Sequence, residues 1–374
     1  MRILFIANYG DLYGANRSLL SIIRYFKVQG STIVVLLPKR GGMSLALEQL
    51  GVKIKVIPYF SSFLFVKFKL KYLIWPFLLV YNLFISIYLL VVVWQFRPSL
   101  IYSNTLAENI GIFVAKILKY KHLLHVREFM SLDHGGFFVF GEMIKRRFLG
   151  LSDAIIFVSK SVKAYHLPNG GKEGMSKVIY NGVTAPVYEN VDKDFRGKSF
   201  RFGIVGIIDP GKGHLKAFEY FEMLNNSVEN VELHVFGDKS GSYKDILKSF
   251  VEKKNLQDKI FFHGFVESID EIYKSIDTLL MFSVSEGFGR VSIEAMARGI
   301  PVIGFNNGGT SEIVDNFKDG YLFENYEEFF LAFEHLRANY HEISFSAYQK
   351  YQLNFSEDVY VERVFSFVNE VLKK

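Results

Sequence analysis

Two glutamates, one lysine and a set of glycines are the residues of this 374-residue chain best suited to chemistry. Glu286 and Glu294 stand in Ser283-Val-Ser-Glu286-Gly287-Phe288-Gly289-Arg290-Val-Ser-Ile-Glu294-Ala-Met-Ala-Arg-Gly299. An apolar run over residues 278–282 precedes them as a strand. Gly287 and Gly289 then open a loop that turns into a helix, which Gly299 ends. Backbone N–H groups in such a turn can close on an anion at the positive end of a helix. Glu294 falls inside the helix on an apolar stretch, where an unpaired carboxylate is costly. A pair of ligand hydroxyls would satisfy it. Lys212 sits in a second strand-to-helix turn, Gly203-Ile-Val-Gly206-Ile-Ile-Asp-Pro-Gly-Lys212-Gly213. A lysine there either neutralises an anionic leaving group or is a solvated turn residue.

Other turns repeat the pattern more weakly. Gly308-Gly309-Thr310-Ser311-Glu312 is a glycine turn at a helix start. Its plain alternative is a capped helix, with Thr310 or Ser311 as cap and Glu312 in the favourable first turn. Tyr13-Gly14-Ala15-Asn16-Arg17-Ser18 follows the first apolar run and reads as a glycine loop or an ordinary strand-to-helix turn. Asn104 follows the apolar run 100–103. His125-Val-Arg127-Glu128 ends a strand, and alternation points His125 and Arg127 to the same side.

The elements that position these residues alternate. Apolar runs at 3–7, 32–37, 53–57, 100–103, 122–126 and 154–158 read as strands, and helical stretches follow most of them. The rhythm restarts with strands at 202–206, 232–236, 260–262, 278–282 and 301–305. A βαβα order implies a parallel sheet covered on both faces. The chain is therefore expected to be α/β, with two Rossmann-like domains facing across a cleft and ligands at the carboxyl ends of their strands. The expected domains are 1–187, a polar linker at 188–198, 199–356, and a helix over 357–374 that packs back toward the first.

Composition narrows the classes. Half the residues are hydrophobic and 22% charged, which excludes a disordered chain, and the absence of cysteine excludes thiol catalysis and thiolate metal sites. The net charge of +6 hides a split of +14 over residues 1–190 and −8 over residues 191–374. Opposite signs suggest different partners for the two halves.

The basic half also carries residues 72–96, a run of 25 without a charge. That is long enough to span a bilayer. Pro76, Asn82, Ser86 and Gln95 interrupt it, and strands of one sheet lie on both sides, so it is expected to supply helices with an apolar outer face. Just before it, Phe65, Lys67, Lys69, Lys71 and Trp75 interleave ammonium and aromatic groups, a pattern that suits an anionic membrane surface. An edge strand or loop with a solvated lysine face is the alternative. The opening apolar run is too short for a secretory leader. No nucleic-acid motif appears. The sole Asp-x-Asp, Asp192-Lys-Asp194, falls in the expected linker and not after a buried strand, which makes it a poor metal motif.

Taken together, these motifs resemble the family 4 glycosyltransferases, whose donor site carries two glutamates with seven residues between them. By that resemblance the fold is GT-B and the reaction transfers a sugar from a nucleotide donor with retention and without metal. Glu286 would contact donor-sugar hydroxyls, Gly287, Phe288 and Gly289 the diphosphate region, and Glu294 the ribose. Gly14, Gly206, Lys212 and Arg290 would surround the phosphates, and Phe265 and Val266, in His263-Gly264-Phe265-Val266, would pack near the base. Ile179-Tyr-Asn181-Gly182-Val183 matches the family's sequence before the linker. Tyr13, Ala15, Asn16, Asn104, Glu128, Gly309 and Thr310 would lie near acceptor or sugar. Either His125 or Arg127 would occupy the position of a functional histidine. Ile207 stands where the family usually has arginine. The implied setting is the cytoplasmic face of a bacterial membrane, with a lipid-linked or glycan acceptor of surface-polysaccharide synthesis. A non-catalytic partner on the same scaffold and a nucleotide-sugar epimerase are the alternatives. Oligomeric state is not legible.

Overall fold

The computed structural model describes residues 1–61, 63–65, 71–134, 136–138, 141–167, 175–186, 195, 197–238 and 241–374. The chain divides into two compact units: Met1–Asn181 together with Glu357–Lys374, and Gly182–Ser356. Most of the linker segment expected at 188–198, including Asp192 and Asp194, lies outside the described residues.

The first unit holds strands β1 (Arg2–Ile6), β2 (Thr32–Leu37), β3 (Lys53–Val56), β4 (Phe63–Phe65), β5 (Leu100–Ser103), β6 (Lys121–Val126), β7 (Gly136–Phe138), β8 (Ala154–Phe157) and β9 (Met175–Val178). Seven of them form a parallel sheet in the order β3-β2-β1-β5-β6-β8-β9, while β4 and β7 pair antiparallel on their own. Near-continuous Ile, Leu, Val and Phe runs suit strands buried on both faces. One face is covered by helix Gly14–Val28 and by helix Glu357–Lys373, which brings Tyr360, Val364, Phe367 and Val368 into the core with Phe5, Phe26 and Tyr102. The other face is covered by helices Lys71–Phe96 and Ile110–Leu118.

The long helix differs from the expectation of several interrupted helices. It runs 26 residues through Pro76. Proline near a helix start removes a single donor, and the turns that follow are anchored by Leu89, Val92 and Val93 against Leu4, Ile6, Val34 and Ile101. Its other side is an apolar stripe: Phe77, Val80, Phe84, Ile87, Val91 and Trp94 are each half or more exposed. The spacing of three and four residues puts them on one helix face. Because the inner stripe is part of the sheet's core, this helix is a structural member of the unit. Among the described residues no helix is long and apolar enough to cross a membrane. Lys67 and Lys69 lie outside the described residues, as do the side chains of Phe65, Lys71 and Trp75.

The second unit holds β10 (Phe200–Val205), β11 (Val231–Phe236), β12 (Ile260–Gly264), β13 (Thr278–Met281), β14 (Val302–Phe305) and β15 (Gly320–Phe323) in one parallel sheet, ordered β12-β11-β10-β13-β14-β15. This is a doubly wound order that reverses between β10 and β13, and ligands of such sheets bind outside the strand ends at that reversal. A phenylalanine-rich core centred on Phe200, Phe202, Phe218, Phe221, Phe329 and Phe333 fills one face. Much of the chain's aromatic excess is therefore ordinary core.

Candidate active site

The two loops that leave β10 and β13 meet at the reversal point. The loop after β10 ends in a short 3-10 turn, Pro210–Lys212, capped by Asp209. Val284 N–H donates to Gly211 O at 3.0 Å, knitting it to the loop after β13. At Gly213, φ is +71° and an added Cβ would lie 2.0 Å from Phe282 O. No other residue allows that approach.

The result brings Lys212 and Glu286 together across 74 residues of sequence: Nζ lies 2.8 Å from Oε2. The lysine side chain is 38% exposed and the glutamate 14%, so the pair is reachable yet mostly desolvated on the carboxylate side. The loop after β14 closes the third side. Gly309 N–H donates to Glu286 O at 2.7 Å, and a Cβ on Gly309 would stand 2.4 Å from Phe288 Cα. The glycine turn is there because its backbone lies directly on the loop that carries Glu286.

Several expectations change in detail. Glu294 is buried, but its partner comes from the chain: Arg290 Nε lies 3.0 Å from Oε1, one helical turn away. Tyr273 OH stands 3.5 Å from Oε2 while donating to Val291 O at 2.9 Å. The carboxylate therefore does not depend on a ligand for charge balance. Neither Thr310 nor Ser311 caps the short helix Thr310–Ile313. Gly309 is its N-cap, without a side-chain bond, and Ser311 Oγ donates to Gly308 O at 2.9 Å. Phe288 turns inward against Phe355, with ring centroids 6.2 Å apart, leaving its backbone to the loop. Phe265 and Ile207 face outward, 78% and 51% exposed, and Val266 is half-buried. The backbone at Gly206 has φ +148° and open space where a Cβ would point.

In the first unit, the corresponding residues form a tighter cluster. Arg127, 7% exposed, donates from Nε to Asn104 Oδ1 at 2.9 Å, from Nη1 to Asn181 Oδ1 at 2.8 Å and from Nη2 to Tyr360 OH at 3.2 Å. Asn104 Nδ2 in turn donates to Ala15 O. Asn16, near the start of helix Gly14–Val28, is buried and donates to Tyr9 O and Asp11 O. Thr105 donates to Glu128 Oε1 at 3.0 Å. Tyr13 is two-thirds exposed. Burial and the nearby Glu128 charge push the Tyr9 phenol well up.

His125 is fully buried, with Nδ1 2.6 Å from Tyr102 OH. Burial and then the Arg127 charge hold its pKa well below the usual histidine range. So the strand alternation places both residues on one side, but only Arg127 reaches the loops at the strand ends. Asn181 and Tyr360 were invisible as partners because they come from distant sequence. The Arg290–Glu294 pair carried a signal in its i,i+4 spacing. Among the described residues no group of three or more His, Asp or Glu side chains could hold a metal ion.

Two Rossmann-like units, with polar side chains gathered by the loops at their strand ends, define the GT-B class. The chain belongs to the family 4 glycosyltransferases: residues 13–185 match the model described as Glycosyltransferase Family 4, and residues 189–342 the one described as Glycosyl transferases group 1. Among solved structures, HepE of Anabaena in complex with UDP and glucose superposes with a TM-score of 0.75 at 22% identity, covering 99% of each chain. A glycosyltransferase from Rickettsia africae gives a TM-score of 0.79 at 18% identity, covering 100% of this chain and 99% of that one. Among curated proteins, an uncharacterized glycosyltransferase of Methanocaldococcus jannaschii is 33% identical over 185 residues, 44% of this chain and 45% of its own length. The poly(ribitol-phosphate) alpha-N-acetylglucosaminyltransferase of Staphylococcus aureus is 29% identical over 138 residues, 37% of this chain and 27% of its own. The matches span less than half the length of these curated relatives.

Proposed function

We propose that the protein is a retaining hexosyltransferase that moves a sugar from a nucleotide-sugar donor to an acceptor hydroxyl, without a divalent metal. The observation that carries this reading is the Lys212–Glu286 pair at the reversal point of the second sheet. A donor diphosphate entering there exchanges partners with it. Lys212 turns from the carboxylate to the phosphate oxygens, and Glu286 is released to accept hydrogen bonds from sugar hydroxyls. Arg290, at the start of helix Arg290–Met296, adds a second cation while still holding Glu294. Glu294 Oε2 then accepts from the ribose, and the exposed Phe265 with Val266 offers an apolar face to the base. As the bond from the sugar's anomeric carbon to the phosphate oxygen breaks, its electron pair goes to the diphosphate, and a preplaced cation stabilises that charge. The acceptor oxygen forms the new bond to the anomeric carbon and gives up its proton to the departing diphosphate oxygen.

In the first unit, Arg127 and the Asn104, Ala15 and Asn181 groups it organises hold the acceptor side in shape, with Tyr13, Asn16 and Glu128 at its edge. His125 serves as a neutral hydrogen-bonding residue, since burial disfavours the second ring proton that would charge it. Anabaena HepE, a fold relative, is described with UDP and UDP-glucose, which supports a nucleotide-sugar donor. The acceptor is placed on a lipid-linked or membrane-proximal glycan of surface-polysaccharide synthesis at the cytoplasmic face of the cell membrane. The apolar stripe of the long helix and the basic balance of the first half support that setting.

The test is turnover of a panel of nucleotide sugars with membrane extract as acceptor source. Release of nucleoside diphosphate only in the presence of acceptor is expected, and Glu286→Ala or Lys212→Ala should abolish most of it. Equal product from wild type and both variants would show the site to be elsewhere. Co-sedimentation with anionic vesicles at low and high salt checks the membrane contact, and an absence of binding at low salt would remove it.

A further inference from the structure

The loop that carries Glu286 leaves the second sheet before it reaches the site. The registered pairing of β13 with β14 ends at Met281 and Gly304. A backbone that leaves a ladder must find other partners or meet water. Here the partner is a side chain. Asn307, on the loop after β14, donates from Nδ2 to Ser283 O and to Val284 O, each at 3.1 Å. It prolongs the contact between the two strand ends beyond the sheet.

Asparagine suits that task for a chemical reason. Its amide NH2 carries two hydrogens, so one side chain can meet two carbonyls. A serine would bring one, and a carboxylate none. Asn307 Oδ1 is buried without a hydrogen-bond partner, so the amide is oriented by its NH2 end.

The residue is itself firmly held. Its backbone N–H donates to Phe305 O at 2.8 Å, and its own carbonyl accepts from Ser311 N–H at 3.3 Å. The preceding Asn306 ties the turn to the end of β15, through its N–H to Phe323 O and its Nδ2 to Glu324 Oε1, both at 3.0 Å. Downstream, the same turn lies on Glu286 itself. A Cβ on Gly308, where φ is +48°, would stand 2.5 Å from Glu286 O, the oxygen that Gly309 N–H bonds. The turn Asn307–Gly309 therefore grips residues 283–286 at both ends. From the opposite side, the Val284 N–H bond to Gly211 O fixes the same segment to the turn that ends in Lys212.

We propose, on the reading that the Lys212–Glu286 pair is the donor-sugar site, that Asn307 is a positioning residue for the transfer. Its two hydrogen bonds set where the Glu286 carboxylate stands, and it acts on the sugar through that carboxylate. Lys212 approaches the diphosphate from another loop. Loss of the Asn307 bonds therefore displaces the partner of the sugar more than the partner of the phosphates. A misplacement of about 1 Å near reacting groups can cost about a hundredfold in rate.

Steady-state kinetics on a panel of UDP-, GDP- and ADP-sugars, with membrane extract as acceptor source, test it. Asn307→Leu keeps the size and removes both donors. It should lower kcat about a hundredfold while moving the donor KM less than about threefold. Asn307→Ser, with one hydroxyl donor, should keep about a tenth of the wild-type kcat, and it carries the test if the leucine variant fails to fold. Asn307→Asp should match Asn307→Leu at neutral pH, since a carboxylate cannot donate. Below about pH 5 it gains an O–H, and its rate relative to wild type at the same pH should rise about tenfold. The corresponding ratio for Asn307→Leu should stay flat. A residue that only fills space would give two flat ratios, and that result would overturn the proposal. So would a kcat for Asn307→Leu within about threefold of wild type while Glu286→Ala is inactive, which would leave the transferase reading standing without Asn307. A loss carried wholly by the donor KM would make Asn307 a binding residue and end the positioning role. If wild type turns over none of the panel, or Glu286→Ala equals it, the transferase reading fails and the role of Asn307 with it.

Discussion

The polar clusters of the two units are built from similar residues and behave differently. In the second unit, Lys212 and Glu286 form an ion pair at the strand ends, and the lysine remains more than a third exposed. In the first, Arg127 is sealed by three neutral partners drawn from three parts of the sequence. One arrangement can trade partners with little rearrangement. The other would leave a buried guanidinium, two amides and a phenol unmet if it opened. The difference teaches that a charged residue at a strand end is not by itself a sign of ligand binding: the number and burial of its existing partners decide how freely it can turn to a substrate.

The largest test of that contrast is on activity. Lys212→Ala should lower kcat by about two to three orders of magnitude, as loss of a preplaced group facing developing charge does elsewhere. It should lower the melting temperature less than the next variant does, because the lysine is partly exposed and makes an ion pair rather than a sealed network. Arg127→Met should do the reverse in part, lowering stability by about 2–4 kcal/mol in denaturant unfolding through the stranded Asn104 and Asn181 groups. If Lys212→Ala unfolds the protein and Arg127→Met does not, the comparison is inverted.

Acid gives a smaller effect aimed at the same difference. His122 and His166 in the first unit are buried, and burial lowers them to about 3 and about 4. The unfolded chain binds protons on these residues first, so the stability they protect is complete above about pH 6.5 and falls as pH drops toward 4. The slope is about 1.4 kcal/mol per pH unit for each histidine. Melting curves at pH 7 and pH 5 should show the loss, and His122→Gln should flatten it. Smallest of all, Ile207→Arg should tighten nucleoside diphosphate binding several-fold, read as a rise in melting temperature with ligand. Ile207 is half exposed beside the open backbone of Gly206, with room for the added cation.

Much of this architecture was legible in the sequence because buried parallel strands are short, continuous apolar runs. The strands at Thr32–Leu37 and Leu100–Ser103 fall where those runs do. The glycine turns were legible too, since backbone contact at Gly213 and Gly309 tolerates no side chain. What sequence could not give was partnership. Tyr273, 21 residues before Glu294, could not be placed beside it, and Arg127 could not announce Asn181 and Tyr360. The pairing of Phe63–Phe65 with Gly136–Phe138 was equally hidden, because two three-residue strands 70 residues apart leave no periodicity to read. Length also misled: Pro76 reads locally as a break, while the packing of Leu89, Val92 and Val93 further along sustains one helix.

The helix Glu357–Lys373 carries a consequence for how the protein comes into being. Its residues complete the core of the unit that begins at Met1, with the whole of Gly182–Ser356 intervening in the chain. During synthesis the second unit has all of its sequence in hand first, although its partner was started earlier. Until the final helix emerges, Phe5, Phe26 and Tyr102 lack the covering it provides. A nonsense codon near position 357 would therefore spare the later unit and expose the earlier one, leaving a product whose instability lies at the opposite end from the lesion.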